Sequence, residues 1–143
     1  SIDLVERHPR GVLRVTDHKT GKVRVPDGFV IAGGEALQPL LYALACERLL
    51  REPVSAGRLY YCTADGGYAE RTLALDAASR ATAETLAEIV GGALGGGFLP
   101  AAPRKGACRW CDYRPVCGPY EETRTARKPA ERLADLGRLR SMP

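Results

Sequence analysis

The apolar and polar positions change their spacing several times along the chain, and each spacing predicts an element. Apolar runs over 2–7 and 12–19, separated by a loop containing Pro and Gly, predict a β-hairpin. Over 36–50 apolar residues recur at intervals of three and four, which predicts an amphipathic helix. The runs 58–63 and 68–75 flank an Asp-Gly-Gly turn and predict a second hairpin.

The remainder of the chain predicts further helices and irregular segments. Asp76 is a favoured N-cap for a second helix that extends to about Leu94 and ends at Gly95-Gly96-Gly97. Residues 23–32 are typical of a loop or a short strand, and 129–139 of one more helix. We therefore expect an α/β fold, with a central mixed sheet flanked by helices.

Length and composition are those of an ordinary globular domain with one modest core. The 143 residues are 45% hydrophobic and 27% charged. No apolar run reaches the length of a membrane span, and the first residues do not resemble a signal peptide, so we expect a cytoplasmic protein with no membrane partner. Most of the net charge of +4 lies after residue 103, which favours a phosphate-rich partner, although a solvated helical face gives the same pattern.

Candidate chemistry begins in the first hairpin. Asp17 and Lys19 lie two residues apart in the second strand, so their side chains project from the same face. If Arg7 pairs with Leu13, Asp3 falls opposite Asp17, with the two Cβ atoms about 4.5–5.5 Å apart. Two carboxylates at this distance repel each other unless a cation lies between them. A lone Asp-x-Lys is common on strand edges, but this geometry suits phosphodiester hydrolysis assisted by a hard divalent metal.

The first helix and the loop before it offer four more polar candidates. Gln38 and Tyr42 lie four residues apart and share one helix face. Near the helix N-terminus, Gln38 is placed to orient a water or a phosphate oxygen. Tyr42 is placed to contact a nucleic-acid backbone, with a core position as the alternative. Lys22 and Arg24 either contact phosphates or belong to a solvated loop.

The cysteines point to metal rather than to disulfides. Their number, five, is odd, which argues against a closed disulfide framework. Cys108, Cys111 and Cys117 form a cluster of the kind that binds metal in a cytoplasmic protein. Cys46 and Cys62 fall inside a predicted helix and a predicted strand, where we expect small buried residues.

The order of these motifs resembles the RecB-like branch of the PD-(D/E)XK nucleases. The matching pieces are Ile2-Asp3, the Asp-His-Lys-Thr-Gly of 17–21 and the Gln-Pro-Leu-Leu-Tyr of 38–42. The cysteine motif of 108–117 is similar to the iron–sulfur signature of AddB-type helicase–nucleases and CRISPR-adaptation nucleases. The resemblance covers residues 1 to about 120.

The resemblance implies a domain organisation and an activity. It implies a restriction-endonuclease-like nuclease core over 1–103, an iron–sulfur cysteine module over 104–120 and a basic tail over 121–143. The implied activity is that of a DNA exonuclease in repair or recombination, acting on single strands or on ends fed by a helicase. DNA and a helicase domain or subunit are therefore the expected partners.

The resemblance also implies a role for each matching residue. Asp3 and Asp17 would bind Mg²⁺ or Mn²⁺, with the backbone carbonyl of His18 as a further ligand. Lys19 would position or help to deprotonate the attacking water and neutralise charge on the phosphate. Gln38 would support that geometry, and the metal would supply the largest share of catalysis.

Two ligands of the family pattern have no counterpart in this sequence. The resemblance places one further metal ligand and the first cluster cysteine upstream of the first strand. We therefore expect this chain to be the C-terminal part of a longer protein, in which an upstream cysteine completes a 4Fe–4S cluster. In this chain alone we expect the cluster to be absent or to be lost by oxidation. A Zn²⁺ site with three cysteines and a borrowed ligand is the alternative.

Two other functions fit the same residues. One is a nuclease-fold module without catalysis, which binds DNA or docks a partner within a repair complex. The other is a metal-binding interaction domain whose cysteine module docks a protein. A Lys19→Ala variant separates them from the nuclease, because it should abolish cleavage and leave DNA or partner binding intact.

Overall fold

A mixed sheet of four strands forms the centre of the structure, a computed structural model that describes residues 1–9, 11–118 and 120–143. The strands, in spatial order, are β1 (Leu4–Arg7), β2 (Leu13–Lys19), β3 (Val54–Tyr61) and β4 (Glu70–Ala74). β1 and β2 are antiparallel, β2 and β3 are parallel, and β3 and β4 are antiparallel. The α/β class and the mixed sheet predicted from the sequence are confirmed.

Helices connect and cover these strands. They are α1 (Gln38–Leu50), α2 (Ala77–Gly95), α3 (Arg114–Cys117), α4 (Glu121–Ala126) and α5 (Ala134–Ser141). The parallel pair of β2 and β3 needs a crossover connection, and α1 provides it while packing on β2, β3 and β4. α2 contacts α1, and α5 contacts α2. No helix in the described ranges is both long and apolar enough to cross a membrane.

Some element bounds differ from the sequence-based prediction for identifiable reasons. α1 begins at Gln38 rather than near residue 36, with Pro39 in its first turn. β3 begins at Val54, four residues earlier than predicted. The prediction missed its first half because Ser55, Ala56 and Gly57 have weak strand propensity. β4 begins only at Glu70, since Tyr68 has a φ of 53° and cannot continue a strand. The N-cap role of Asp76 is confirmed by its hydrogen bond from the Ser79 amide at 2.9 Å.

One glycine in β3 allows α1 to approach the sheet closely. A Cβ atom on Gly57 would lie 2.1 Å from the carbonyl oxygen of Pro39, so no other residue fits there. Gly57 is the register partner of Val15, and Asp17 follows two residues later on the same face. This contact therefore fixes the N-terminal end of α1 over the face that carries Asp17.

The hydrophobic core lies on the α1 face of the sheet. Its fully or almost fully buried members include Leu40 and Ala43 of α1, Val15 of β2 and Leu59 of β3. Cys46 is also buried in this core, as predicted from its place in the helix. A packed core of this kind holds helix and strands in a fixed relation, which the candidate site requires.

The opposite face carries a network of charged side chains. Arg58, only 8% exposed, donates to Thr16 Oγ1 at 3.0 Å and to Glu6 and Glu70, each at 2.8 Å. Arg14 donates twice to Glu6 at 3.1 Å. The hydrogen bonds from Arg14, then those from Thr16 and the charge of Arg58, hold the pKa of Glu6 below its ordinary value. The network links all four strands and leaves the α1 face for chemistry.

Candidate active site

β2 and α1 bring three of the predicted site residues together. Lys19 Nζ lies 2.6 Å from Asp17 Oδ2 and donates to Gln38 Oε1 at 2.7 Å. Asp17 and Lys19 share a face of β2 because strand side chains alternate, and Gln38 opens the helix that Gly57 holds against this face. The lysine therefore joins a carboxylate from the sheet to an amide from the helix.

Asp17 is a buried carboxylate with unused acceptor capacity. It is 6% exposed, and within the described part of the chain its Oδ2 atom is buried without a hydrogen bond. The Lys19 ammonium lies close enough to form an ion pair with it but is not aligned to donate. Burying a carboxylate is costly unless cations and donors surround it, so this oxygen is suited to a further positive ligand.

Asp3 lies just beyond the end of the hairpin ladder. The ladder pairs Arg7 with Leu13, as predicted, and ends at Leu4. The Asp3 carboxylate accepts a hydrogen bond from the His18 amide at 2.8 Å, and its side chain is 37% exposed. It is therefore anchored to β2 beside Asp17, and its expected separation from Asp17 stays a prediction.

A cavity of about 260 Å³ adjoins this group and is lined by cations. Lys19, Lys22 and Arg24 line it together with Gln38. Lys22 and Arg24 are exposed, and neither has a hydrogen-bond or ion-pair partner within residues 1–9, 11–118 and 120–143. By contrast, Arg71 on the same side of the sheet pairs with Asp27 at 3.3 Å. Unpaired cations beside a carboxylate–lysine pair are suited to bind phosphates.

Comparison with known families identifies the superfamily of this chain. The model of the PD-(D/E)XK nuclease superfamily matches residues 1–118. The chain belongs to this superfamily. Curated proteins and solved structures gave no significant match. Members of the PD-(D/E)XK superfamily are typically nucleases that use divalent metals, and the match leaves the RecB-like branch and the iron–sulfur motif as predictions.

The oxygen atoms of this PD-(D/E)XK site suit a hard divalent cation. The carboxylates of Asp3 and Asp17 and the carbonyl of His18 are the type of donors that Mg²⁺ and Mn²⁺ prefer. The buried Asp17 Oδ2, which lacks a hydrogen bond, fits such a ligand. In the described ranges no three His, Cys, Asp or Glu side chains converge on one point. A metal here would therefore complete its shell with water, as Mg²⁺ commonly does.

Two other residues near the candidate site have clear surroundings. The His18 ring faces Tyr60 edge-on at 5.9 Å, on the face opposite Asp17, as its place between Asp17 and Lys19 predicts. Tyr42 is partly buried and packs against the core. That position agrees with the alternative of a core aromatic, and contact of Tyr42 with nucleic acid stays a prediction.

Sequence reasoning missed an ion pair at the rim of the cavity. Glu35, which lines the cavity, pairs with Arg104. The Arg104 guanidinium also donates to the Gly33 carbonyl at 2.6 Å. These partners lie about seventy positions apart, so no local pattern reveals them. The segment that leads into the cysteine module therefore reaches the rim of the candidate site.

The three clustered cysteines share a cavity without forming a finished metal site. Cys108, Cys111 and Cys117 all line a cavity of about 430 Å³. Desolvation, followed by the Glu122 carboxylate and the neighbouring thiols, raises the pKa of the Cys108 thiol. The described residues nevertheless contain no cluster of three such side chains close enough to hold a metal ion. As placed, the thiols do not fit an assembled iron–sulfur centre.

Proposed function

We propose that this chain is a metal-dependent deoxyribonuclease domain that hydrolyses phosphodiester bonds. The observation that carries the proposal is the bridge from Asp17 through Lys19 to Gln38 beside a cation-lined cavity. Membership of the PD-(D/E)XK superfamily supports it independently. In cleavage, a water oxygen bonds to phosphorus, the ester bond to the leaving oxygen breaks, and that oxygen takes up a proton.

The side chains of this site have complementary tasks in that reaction. Asp3, Asp17 and the His18 carbonyl would hold a divalent cation, and the chemistry it would supply is Lewis-acid charge that makes water more acidic. Lys19, fixed by Asp17 and Gln38, holds a positive charge where charge develops on the phosphate. Gln38 uses its Oε1 atom for Lys19, which leaves its amide hydrogens for a phosphate oxygen or the attacking water.

The substrate is DNA, contacted mainly through its backbone. Lys22 and Arg24 offer exposed positive charge in the cavity that Lys19 and Gln38 share. Tyr42, one helical turn beyond Gln38, adds a contact at the edge of the same region. Contacts of this kind fix the strand without reading its sequence, so binding should weaken steeply with salt.

The finer assignment is that of an exonuclease in DNA repair or recombination, acting in the cytoplasm on single strands or on ends supplied by a helicase partner. Its support is the order of motifs, similar to that of RecB-like nucleases, over 2–3, 17–21, 38–42 and 108–117. On this proposal the three thiols of the cysteine module, together with a fourth ligand, would hold a 4Fe–4S cluster once it is assembled. Anaerobic addition of iron and sulfide, followed by iron analysis and absorbance, tests that part.

A second function has one specific observation in its favour. The Asp3 carboxylate is engaged by the His18 amide, and in the described residues no three His, Cys, Asp or Glu side chains come together as metal ligands. A nuclease-fold module that binds DNA without cleaving it would have such a site. Binding and cleavage must therefore be measured on the same protein.

Digestion of end-labelled single-stranded DNA with Mn²⁺, beside an Asp17→Ala control, tests the proposal. Cleavage that disappears in the control is the expected result. Binding without cleavage by the parent chain would favour the inactive module. Cleavage that survives in Asp17→Ala would show that the activity comes from a contaminant or from another site.

A further inference from the structure

Residues near the C-terminal end of the chain bind the turn that leads into α1. We name residues 139–143 the C-terminal clamp and residues 31–34 the pre-helix turn. Three consecutive amides of the turn donate to carbonyls of the clamp: Ile31 N and Ala32 N to Pro143 O at 2.6 and 2.9 Å, and Gly33 N to Met142 O at 2.9 Å. Met142 also packs against the hydrophobic core. The clamp is therefore a docked segment, joined to the core through backbone and side chain.

Two glycines of the pre-helix turn make this docking possible. Gly33 and Gly34 have φ values of 61° and 91°, which glycine adopts without steric cost. A Cβ atom on Gly33 would lie 2.7 Å from the Arg140 carbonyl oxygen, and one on Gly34 would lie 2.8 Å from a Leu139 methyl carbon. Both the conformation and the space at these positions exclude a side chain. The fit between turn and clamp is therefore specific.

The pre-helix turn is connected rigidly to the candidate site. The Ile31 carbonyl accepts hydrogen bonds from the amides of Gly34 at 2.9 Å and Ala36 at 3.0 Å. α1 starts two residues later at Gln38, and Leu37 before it provides no side-chain cap. A helix start without its own cap depends on neighbouring structure for its position.

We infer that the C-terminal clamp is a positioning element for the Lys19–Gln38 pair. The clamp fixes the pre-helix turn, the turn fixes the first residue of α1, and Gln38 holds the Lys19 ammonium at 2.7 Å. Among the described residues, none of 139–143 lines the cavity that Lys22 and Arg24 share, and the backbone hydrogen bonds of the clamp go to the pre-helix turn and not to Asp3, Asp17 or His18. This inference rests on the proposed nuclease function, and it assigns a task to residues that sequence reasoning placed in a basic tail.

A pair of glycine variants tests the inference with matched backbone strain. Gly33→Ala places a Cβ against the clamp, whereas Gly67→Ala, at a φ of 62°, meets no atom within 4 Å. Gly33→Ala should lower kcat for DNA cleavage by about tenfold to a hundredfold, since small displacements of catalytic groups have effects of that size, and leave KM within about twofold. Gly67→Ala should leave both values unchanged. The inference would be contradicted if Gly33→Ala left kcat unchanged, or if both variants changed kcat and KM to the same extent.

A double variant separates positioning from a general loss of structure. If the clamp acts through Gln38, Gly33→Ala should have no further effect on cleavage in a Gln38→Ala background. A merely destabilised fold would instead lower the activity of both backgrounds by the same factor. Additive effects of the two substitutions would therefore overturn the inference.

Hydrogen exchange on a chain ending at Ser141 provides a readout independent of cleavage. Removing Met142 and Pro143 deletes both acceptor oxygens together with the core contact of Met142, and it adds no side chain. Exchange should accelerate by about tenfold or more in the pre-helix turn and in the first turn of α1, and stay unchanged in β3. Unchanged exchange in the first turn of α1 would overturn the inference. Should the parent chain fail to cleave DNA, the nuclease proposal falls, and these exchange rates alone decide whether the clamp positions α1.

Discussion

The molecule has two candidate ligand regions, and the fold assembles them to different degrees. At the site on β2 and α1, a strand and a thirteen-residue helix meet over a packed core, and three side chains converge within 2.7 Å contacts. The cysteine module instead contains only a four-residue helix, α3, and is followed by the six-residue α4. Its large side chains are exposed, with Trp110 at 83% and Val116 at 87%.

This difference shows what positions functional groups in such a chain. Regular elements locked by a core fix side chains to within the tolerance that catalysis needs. Short turns with little buried surface do not fix side chains in this way. The three thiols line one cavity, but in the described residues they are not placed close enough together to hold a metal ion. A bound metal would supply to the module the order that packing supplies to the site, because metal ligation couples to folding.

The largest expected effect comes from Asp17→Asn, a change of charge with little change of shape. Cleavage should fall by about a thousandfold or more, because the buried oxygen next to Lys19 is the strongest candidate metal ligand. The melting temperature should change little, because Asn keeps the shape of the side chain and the loss of the ion pair with Lys19 is offset by the lower cost of burying a neutral group. Kinetic assays and calorimetry on one preparation check both outcomes. A variant that still cleaves DNA would show that Asp17 is not a residue of the active site.

Gly57→Ala is expected to affect stability and activity together. The added Cβ would lie 2.1 Å from the Pro39 carbonyl, so α1 must shift, at a cost of about 1–3 kcal/mol in the free energy of unfolding. Gly92→Ala on α2, where nothing lies within 4 Å, should instead stabilise by about 0.5–1 kcal/mol. Urea unfolding measures both values. Equal effects would mean that β3 does not position α1 through this contact.

Loss of Lys22 and Arg24 should weaken DNA binding without changing the chemical step. The double Ala variant should raise KM for DNA, leave kcat unchanged, and reduce the slope of log affinity against log salt by about 0.7–0.9 for each lost phosphate contact. Arg48→Ala in the last turn of α1 is the control, since it removes one exposed cation away from the cavity, and the losses are compared for each charge removed. An equal loss in the control would indicate general electrostatic attraction in place of a defined phosphate contact.

The strands and helices near the site were predictable because they carry local signals. The pairing of Arg7 with Leu13, the shared face of Asp17 and Lys19, and the cap at Asp76 all follow from strand alternation and capping rules. Gln38 was identified from its place at a helix start, where Pro39 marks the first turn. Local physics acts over a few residues, so sequence reasoning recovers contacts of that range.

The contacts that complete the fold are not local, and the sequence does not reveal them. Arg58 is one of many arginines in the sequence, and only the assembled sheet shows that it links Glu6 to Glu70. Gly57 and Gly33 look like ordinary flexible positions until α1 and the C-terminal clamp approach them. Such requirements arise from tertiary packing, which propensity and periodicity do not encode.

Serine variants of the module cysteines test whether the two regions are independent. In the chain without added iron, replacing Cys108, Cys111 and Cys117 with Ser should change neither the melting temperature nor Mn²⁺-dependent cleavage beyond the measurement error. None of the three cysteines is buried, and substitutions outside the core rarely change the free energy of unfolding by more than about 0.5 kcal/mol. Iron bound after anaerobic reconstitution should fall to background. A large loss of cleavage before reconstitution would show that the module supports the site through Arg104.

The smallest expected effect lies in the network on the face opposite the site. Because Arg14 and its neighbours lower the pKa of Glu6, this carboxylate stabilises the fold at pH values above its ordinary pKa of 4.5. That contribution disappears as the pH falls through the lowered folded-state pKa. Glu6→Gln should therefore be less stable than the parent at pH 7, by about 1 kcal/mol since the pair is partly solvated, and equally stable at about pH 2–3. Urea unfolding at both pH values measures the difference, and a gap that persists in acid would show that Glu6 contributes through packing in place of charge.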